Sequence, residues 1–375
     1  MLVEDQRCVI GMLDGFGLSY LEGTNLPVIK NKLIKEGLFK KVSGCYPSVT
    51  NVNNVGIATG SWPKDHGIIA NSYFNRESGT PEYMNDKNLI KVDSVFIKGK
   101  KRNKKVAVLS SKKKSTELFG GSADIAITAE NPPKDLVEAI GEPAHIYSSE
   151  VNDWLWHAAI YLLKKDKSID LIYVHITDYP MHRWAPEEIG SQLHLQKMDA
   201  RLGEITECAP DAAILLTADH SMNKKTRCWN LAKVCENRGI PLLFALSPER
   251  DYYIKHHKNY TGCSWIWLKD PEDKEPVRDI IKSLEGVDEV YDSKYIADKY
   301  KTSIHHIGDL VVEGDKNTMF GEADEEYETL DEGYRAHGSL HEMELPMIMY
   351  NTNLEIDKFN ELTHNKDLTI HLWDK

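Results

Sequence analysis

CVIGMLDGFG, residues 8–17, runs an apolar stretch straight into Asp14. The same design recurs in IDLIYVHITD, 169–178, which ends on Asp178, and in AAILLTADH, 212–220, which ends on Asp219 and His220. Short apolar runs of this length read as parallel strands buried on both faces, and the carboxyl ends of such strands share one edge of the sheet. Open α/β sheets bind their ligands along that edge. Three carboxylates gathered there in low dielectric repel one another unless something strongly positive sits among them. The pattern predicts a metal cluster.

The rest of the chain fits an α/β enzyme of ordinary composition. Its 375 residues are too many for one simple core and suit a large α/β domain with an insertion. Hydrophobic content of 41% and charged content of 28% are those of a soluble globular protein. The net charge of −12 argues against a nucleic-acid polymer as partner, and an anionic substrate must be drawn in by local positive charge. Six cysteines (Cys8, Cys45, Cys208, Cys228, Cys235, Cys263) form no C-x-x-C pair and read as reduced thiols. With no signal-like segment and no membrane-length apolar run, the expectation is a cytoplasmic protein that does not engage a membrane. The oligomeric state stays open, a homodimer included.

Strands and helices alternate: strand Cys8–Leu13, a helix near Pro27–Glu36, a helix opening near Thr50, strand Val106–Ser110, helix Asp153–Lys164, strand Leu171–Ile176, helix Glu187–Ala209 and strand Ala212–Thr217. That order predicts a mostly parallel central sheet flanked by helices. Residues 226–302 change character, with LAKVCENRGI and PVRDIIKSLEG as helices and SWIWLK and VDEVYDS as strands. They read as an inserted α+β cap subdomain between core segments 1–225 and 303–375. GDLVVEG (308–314) and MELPMIMYN (343–351) read as strands returning to the main sheet, and the acidic run 321–333 as a solvated loop.

Asp178 and His182 stand at i and i+4 in ITDYPMHRW and share a face if the chain turns helical, although Pro180 interrupts a full helix. With Asp14, Asp219, His220 and the late His337 they make a carboxylate–imidazole set suited to zinc or manganese. Thr50 in CYPSVTNVNNVGIATG sits where a helix begins, with Gly60 at its end. Alone it is a plain N-cap, but a helix N-terminus also favours phosphate and developing negative charge. Asn71, read alone, is a turn asparagine. Lys112 and Lys114, two apart on an extended segment, point to one side and Lys113 to the other; the competing reading is a solvated charge run. His256, His257, His305 and His306 lie away from the strand ends and read as surface residues.

The segments MLDGFG, YPSVTNVNN, TGSWPKDHGIIANSYF, ITDYPMHRWAP, TADHSMN and RAHGSLHEMELP together resemble the alkaline phosphatase superfamily, in its nucleotide pyrophosphatase/phosphodiesterase branch, over nearly the whole chain. The resemblance implies an alkaline-phosphatase-like core and two divalent ions, zinc or alternatively manganese. Asp14, Thr50, Asp219 and His220 would hold one ion, and Asp178, His182 and His337 the other. Thr50 would be the nucleophile, and Asn71 would help hold a phosphoryl oxygen. Ser221 departs from the family's usual glycine, which puts the local turn in question. The sulfatase signature is excluded, because Val49 follows Cys45 where that signature has arginine.

PEYMNDKNLI, VAVLSSKKKSTELFG and DIAITAENPP further resemble the phosphonoacetate hydrolases of that branch, which would make Lys112 and Lys114 substrate-binding residues. The implied reaction is cleavage of the C–P bond of phosphonoacetate to acetate and phosphate through a phosphothreonine, a step in phosphonate breakdown. The alternative is a type I phosphodiesterase or nucleotide pyrophosphatase using the same threonine and ions. A phosphomutase, which uses serine at that position, and a non-catalytic binding protein rank lower. In either leading case the partner is a small anionic phosphonate or phosphoester.

Overall fold

The computed structural model describes residues 1–2, 6–253 and 255–373. Its centre is a seven-stranded sheet. In chain order the strands are β1 (Cys8–Met12), β2 (Leu38–Ser43), β3 (Lys105–Ser110), β4 (Ile125–Thr128), β5 (Ile169–His175), β6 (Ala213–Thr217) and β7 (Glu344–Tyr350). They lie side by side as β2-β7-β6-β1-β5-β3-β4. All contacts from β6 to β4 are parallel, and β7 runs antiparallel to both β2 and β6. Every residue of β1 and β6 is buried, as expected for strands covered on both faces.

Register decides the site. Met12 pairs with His175 on one side and with Thr217 on the other, so β1, β5 and β6 end level. Asp14, Asp178 and Asp219 follow two or three residues later and emerge at one edge. Behind them, helices α2 (Glu150–Lys165) and α4 (Ile189–Cys208) pack against each other; α1 (Thr50–Thr59) and the short α3 (Tyr179–Arg183) precede each of these in the chain. Gly11 lets α2 approach the sheet. A Cβ there would lie 2.6 Å from Leu216 and 2.8 Å from Trp156, inside contact distance on both sides.

α1 is buried from Asn51 to Thr59 and ends at Gly60, whose left-handed backbone (φ 69) closes the helix. The C-terminal segment holds it in place. Asn365 Nδ2 donates to Asn53 Oδ1 at 2.9 Å and to the carbonyl of Ala218 at 3.0 Å, which ties α1 to the end of β6.

The region after β6 builds its own sheets. Phe244–Leu246, Cys263–Trp267, Leu310–Gly314 and Val287–Asp292 form an antiparallel four-stranded sheet in that order. The expectation that 308–314 rejoins the main sheet is therefore corrected: Leu310–Gly314 pairs only with its antiparallel neighbours, leaving β7 as the returning strand. Alternation along Cys263–Trp267 turns Cys263, Trp265 and Trp267 toward the main core and Ile266 toward a second core with Val277, Ile281 and Val312. The acidic run is likewise not all loop, since Tyr327–Thr329 pairs with Arg227–Trp229. The six cysteines are free thiols, and no described helix is long and apolar enough to cross a membrane.

Candidate active site

The three aspartates are 0–3% exposed, and three of their oxygens, Asp14 Oδ1, Asp178 Oδ1 and Asp219 Oδ2, are buried without a hydrogen-bond partner among the described residues. Buried carboxylate oxygens left this way are costly unless a cation completes them. Burial, then the charges of Asp178 and Asp219, pushes the Asp14 carboxyl well up. Burial also raises Asp219. Burial pushes Asp178 the same way, but His182, His256 and Lys112 outweigh it and hold that carboxyl well below the usual range.

The histidines present one nitrogen each. His182 Nδ1 is 2.7 Å from the Arg335 carbonyl, His220 Nδ1 2.9 Å from that of Ser221, and His337 Nδ1 2.8 Å from that of Ser48. A carbonyl only accepts, so each Nδ1 donates and each Nε2 is left to face the aspartates. This is the usual outer-shell arrangement of metal-binding imidazoles.

α3 explains the Asp178–His182 pair. Asp178 caps it and Pro180 lies in its first turn, where a missing N–H costs nothing, so one helical turn brings His182 Nε2 to 2.7 Å from Asp178 Oδ2. Thr50 is the first residue of α1. Val49, not Thr50, occupies the cap position and no side chain caps the helix, so the threonine hydroxyl is free of that duty.

Thr50 Oγ1 lies 3.2 Å from His220 Nε2, which is 3.4 Å from both Asp14 Oδ1 and Asp219 Oδ2. Four donors around a zinc at its normal bond lengths stand about 3.3 Å apart. The three distances from His220 are those of donors sharing one tetrahedral dication, and the Asp14, Asp219 and His220 donor atoms all lie within 4.8 Å of one another. Asp178 forms a second group with His220 and His337, and a third with His182, His256 and His257; within each group the donor atoms lie within 4.8 Å of one another. His337 Nε2 is 4.0 Å from Asp178 Oδ2 and its ring stacks on His220 at 3.5 Å.

His337 is placed by a buried network. Ser48 Oγ donates to the Ser339 carbonyl at 2.6 Å and accepts from Gly338 N at 3.2 Å. Glu342 accepts from Ser339 N and Oγ and pairs with Lys225 at 2.9 Å, both side chains fully buried. Ser221 donates its N–H to the Glu342 carbonyl and has no positive φ. Its side chain fills the space above Gly17, where a Cβ would lie 1.9 Å from Ser221 Oγ. The serine thus needs a glycine opposite it, not in its own place.

Lys113 is exposed while Lys112 and Lys114 are drawn inward. The segment is extended only as far as Lys112, because a helical turn starts at Lys113. Burial works to lower the Lys112 ammonium, but Asp178 and Asp14 raise it instead. Lys112 has no hydrogen-bonding or ion-pair partner for its Nζ among the described residues, whereas Lys114 pairs with the buried Asp251 and lies over the Tyr252 ring. Asn71 is buried beneath residues 248–249: its N–H donates to the Pro248 carbonyl, its Nδ2 to that of Glu249 at 3.4 Å, and its Oδ1 has no partner.

Three histidines escaped the sequence reading. His175, the last residue of β5, sets its Nε2 3.4 Å from Asp14 Oδ2 and is kept neutral by burial, which pulls it down to about 3. His256 is not a surface residue: its side chain is 2% exposed and its Nε2 lies 3.4 Å from Asp178 Oδ1. His257 stacks on His182 at 4.1 Å. Both arrive from the region after β6, and no local spacing ties them to the strand ends. His305 is exposed, and His306 packs on Tyr73 at 4.6 Å.

The sequence pattern of the type I phosphodiesterase / nucleotide pyrophosphatase family matches residues 8–340. The fold superposes on phosphonoacetate hydrolase of Sinorhizobium meliloti, solved with phosphonoacetate and with phosphonoformate, at a TM-score of 0.86 and 25% identity over 97% of this chain and 94% of that one. It also superposes on murine ectonucleotide pyrophosphatase/phosphodiesterase 5 at a TM-score of 0.68 and 17% identity, covering 98% and 94% of the two chains, a likeness of fold. Among curated proteins, bis(5'-adenosyl)-triphosphatase of Xenopus laevis is 22% identical over 58% of this chain and 47% of its own. That of Pongo abelii is 24% identical over 70% and 60%. The chain spans about half the length of these relatives.

Proposed function

This chain belongs to the type I phosphodiesterase / nucleotide pyrophosphatase family, and on that premise we propose that it hydrolyses the C–P bond of phosphonoacetate with Thr50 as nucleophile. The observation that carries this reading is Lys112, a half-buried lysine whose ammonium feels the charges of Asp178 and Asp14 and has no hydrogen-bond or ion-pair partner among the described residues. A cation so placed suits a substrate that bears a carboxylate next to its phosphonate. The near full-length likeness to the S. meliloti enzyme supports the same substrate.

Asp14, Thr50, Asp219 and His220 would hold one divalent ion and Asp178, His182 and His337 a second, with zinc or manganese suited to the donors. Ions bound there would supply the charge that lets a threonine hydroxyl ionise near neutral pH and that screens the phosphonate oxygens. Thr50 Oγ forms a bond to phosphorus while the P–C bond breaks and its electron pair passes to the carbon. That carbanion delocalises into its carboxylate, and Lys112 faces the charge as it develops, where electrostatic help lowers the barrier most. The carbon then takes a proton, acetate leaves, and water cleaves the phosphothreonine to phosphate. Asn71 Nδ2 would support a phosphonate oxygen. Lys114, already paired with Asp251, serves the pocket less directly than the sequence suggests.

A second reading, hydrolysis of nucleotide phosphodiesters with the same threonine, is favoured by the rings beside the site. Tyr147 lies 4.8 Å from His256 and 6.5 Å from Tyr179, a surface on which a base could stack. Phosphate release from phosphonoacetate, phosphonopyruvate, 2-aminoethylphosphonate and a nucleotide diester separates the two. Thr50→Val, nearly isosteric, removes activity on every substrate. Lys112→Ala lowers kcat/KM for phosphonoacetate by about 100-fold, a charge-assisted contact's worth of 2–3 kcal/mol, and spares aryl phosphodiesters. Equal losses on both substrates overturn the phosphonoacetate assignment.

A further inference from the structure

The second donor group around Asp178 contains more than the family pattern requires. The His256 side chain is buried, yet neither of its ring nitrogens has a hydrogen-bond partner among the described residues. An imidazole in that condition forfeits its hydration at both nitrogens, which buried polar groups rarely do without a ligand. Its Nε2 is 3.4 Å from Asp178 Oδ1, the oxygen that also lacks a partner, while His182 Nε2 sits on the opposite oxygen at 2.7 Å. The His256 ring stands edge-on to His182, with centroids 5.1 Å apart and planes at 78°, and Tyr147 covers it at 4.8 Å. These contacts fix the ring.

We propose that His256 is a metal ligand contributed by the inserted region, its Nε2 joining Asp178 and His182 around the second divalent ion. The proposal rests on the two-ion reading above. The separation from Asp178 Oδ1 matches the roughly 3.3 Å spacing of donors on one tetrahedral ion. His257 acts as a positioning residue: its Nδ1 donates to the Lys258 carbonyl at 2.6 Å and its ring lies face to face with His182. The consequence reaches the substrate pocket. The same stretch of chain carries Glu249, under which Asn71 is buried, and Asp251, which pairs with Lys114. Binding of the ion therefore fastens the pocket wall to the strand ends.

The test uses the full chain, stripped with chelator and reloaded with zinc or cobalt(II). Ion content per chain, competition against a chromophoric chelator, and the visible spectrum of the cobalt form are measured for wild type, His256→Ala and His256→Gln. The exposed His305→Ala serves as a control, and circular dichroism of the stripped proteins verifies folding. Wild type should bind two ions. Both His256 variants should hold one ion as before and the other at least about tenfold more weakly, since even an outer-shell change costs that much. The cobalt band of the weakened site should change, and added imidazole should restore it in His256→Ala. Wild-type affinities and spectra in both variants overturn the proposal while leaving the two-ion reading intact. Three ions in wild type and two in the variants also overturn it, because His256 would then serve an ion of its own. A wild type that takes up no ion overturns both.

Discussion

Replacing Asp14 by asparagine should stabilise the metal-free protein and destabilise the metal-loaded one. The donor atoms of Asp14 and Asp219 lie within 4.8 Å of each other, and both side chains are buried. Two unit charges at that distance repel by about 3.5 kcal/mol at an effective dielectric of about 20. Protonation relieves the repulsion only at a cost, about 1.4 kcal/mol for each pH unit above the ordinary carboxylate range. Either way the native state carries the burden and the unfolded chain does not. The amide retains the shape and removes the charge, so the gain in chelator should be about 2–3 kcal/mol, less than the full Coulomb term because the site relaxes. With a dication in thousandfold excess over its Kd, wild type gains about 4 kcal/mol that the variant largely lacks. Urea unfolding at pH 8, with chelator and with zinc, should therefore rank the two proteins in opposite orders. The same ranking in both conditions would refute the claim that these carboxylates are assembled around a cation.

Ser48→Ala leaves the buried Gly338 N–H unpaired and the Ser339 carbonyl with only the Glu342 N–H at 3.4 Å, which should cost about 1–3 kcal/mol in urea unfolding; an unchanged midpoint would show that this tie does not hold His337. Gly17→Ala places a methyl 1.9 Å from Ser221 Oγ and should cost about 1–3 kcal/mol. Ser221→Gly should recover most of it, whereas additive losses in a double-mutant cycle would dismiss the compensation. Burial pulls the His66 imidazole from 6.5 to about 3, so the unfolded chain binds the proton first as pH falls. The stability it contributes is complete above pH 6.5 and is lost progressively down to about 3, with a slope of about 1.4 kcal/mol per pH unit. His66→Gln should flatten the urea-midpoint profile within that window, and an identical profile would contradict the assignment.

Much of this protein was legible in one dimension because the relevant physics is local. Apolar runs of strand length ending in Asp14, Asp178 and Asp219 specify buried parallel strands. Parallel strands must share a C-terminal edge, whatever else the chain does. The i, i+4 spacing of Asp178 and His182 likewise needs only one helical turn. The edge strands β2 and β4 were not legible, because half-exposed strands lack an unbroken apolar run. Leu310–Gly314 looked like a core strand because burial has the same signature in either sheet, and only pairing separates them. His256 depends on a fold-back of the chain after β6 onto the segment that follows β5, a contact between residues 78 positions apart (256 against 178) that no local periodicity records. Ser221 and Gly17 make the same point. Each is ordinary alone, and their steric exchange exists only once β1 and β6 lie side by side. Sequence determined which groups reach the edge; packing decided which of them touch.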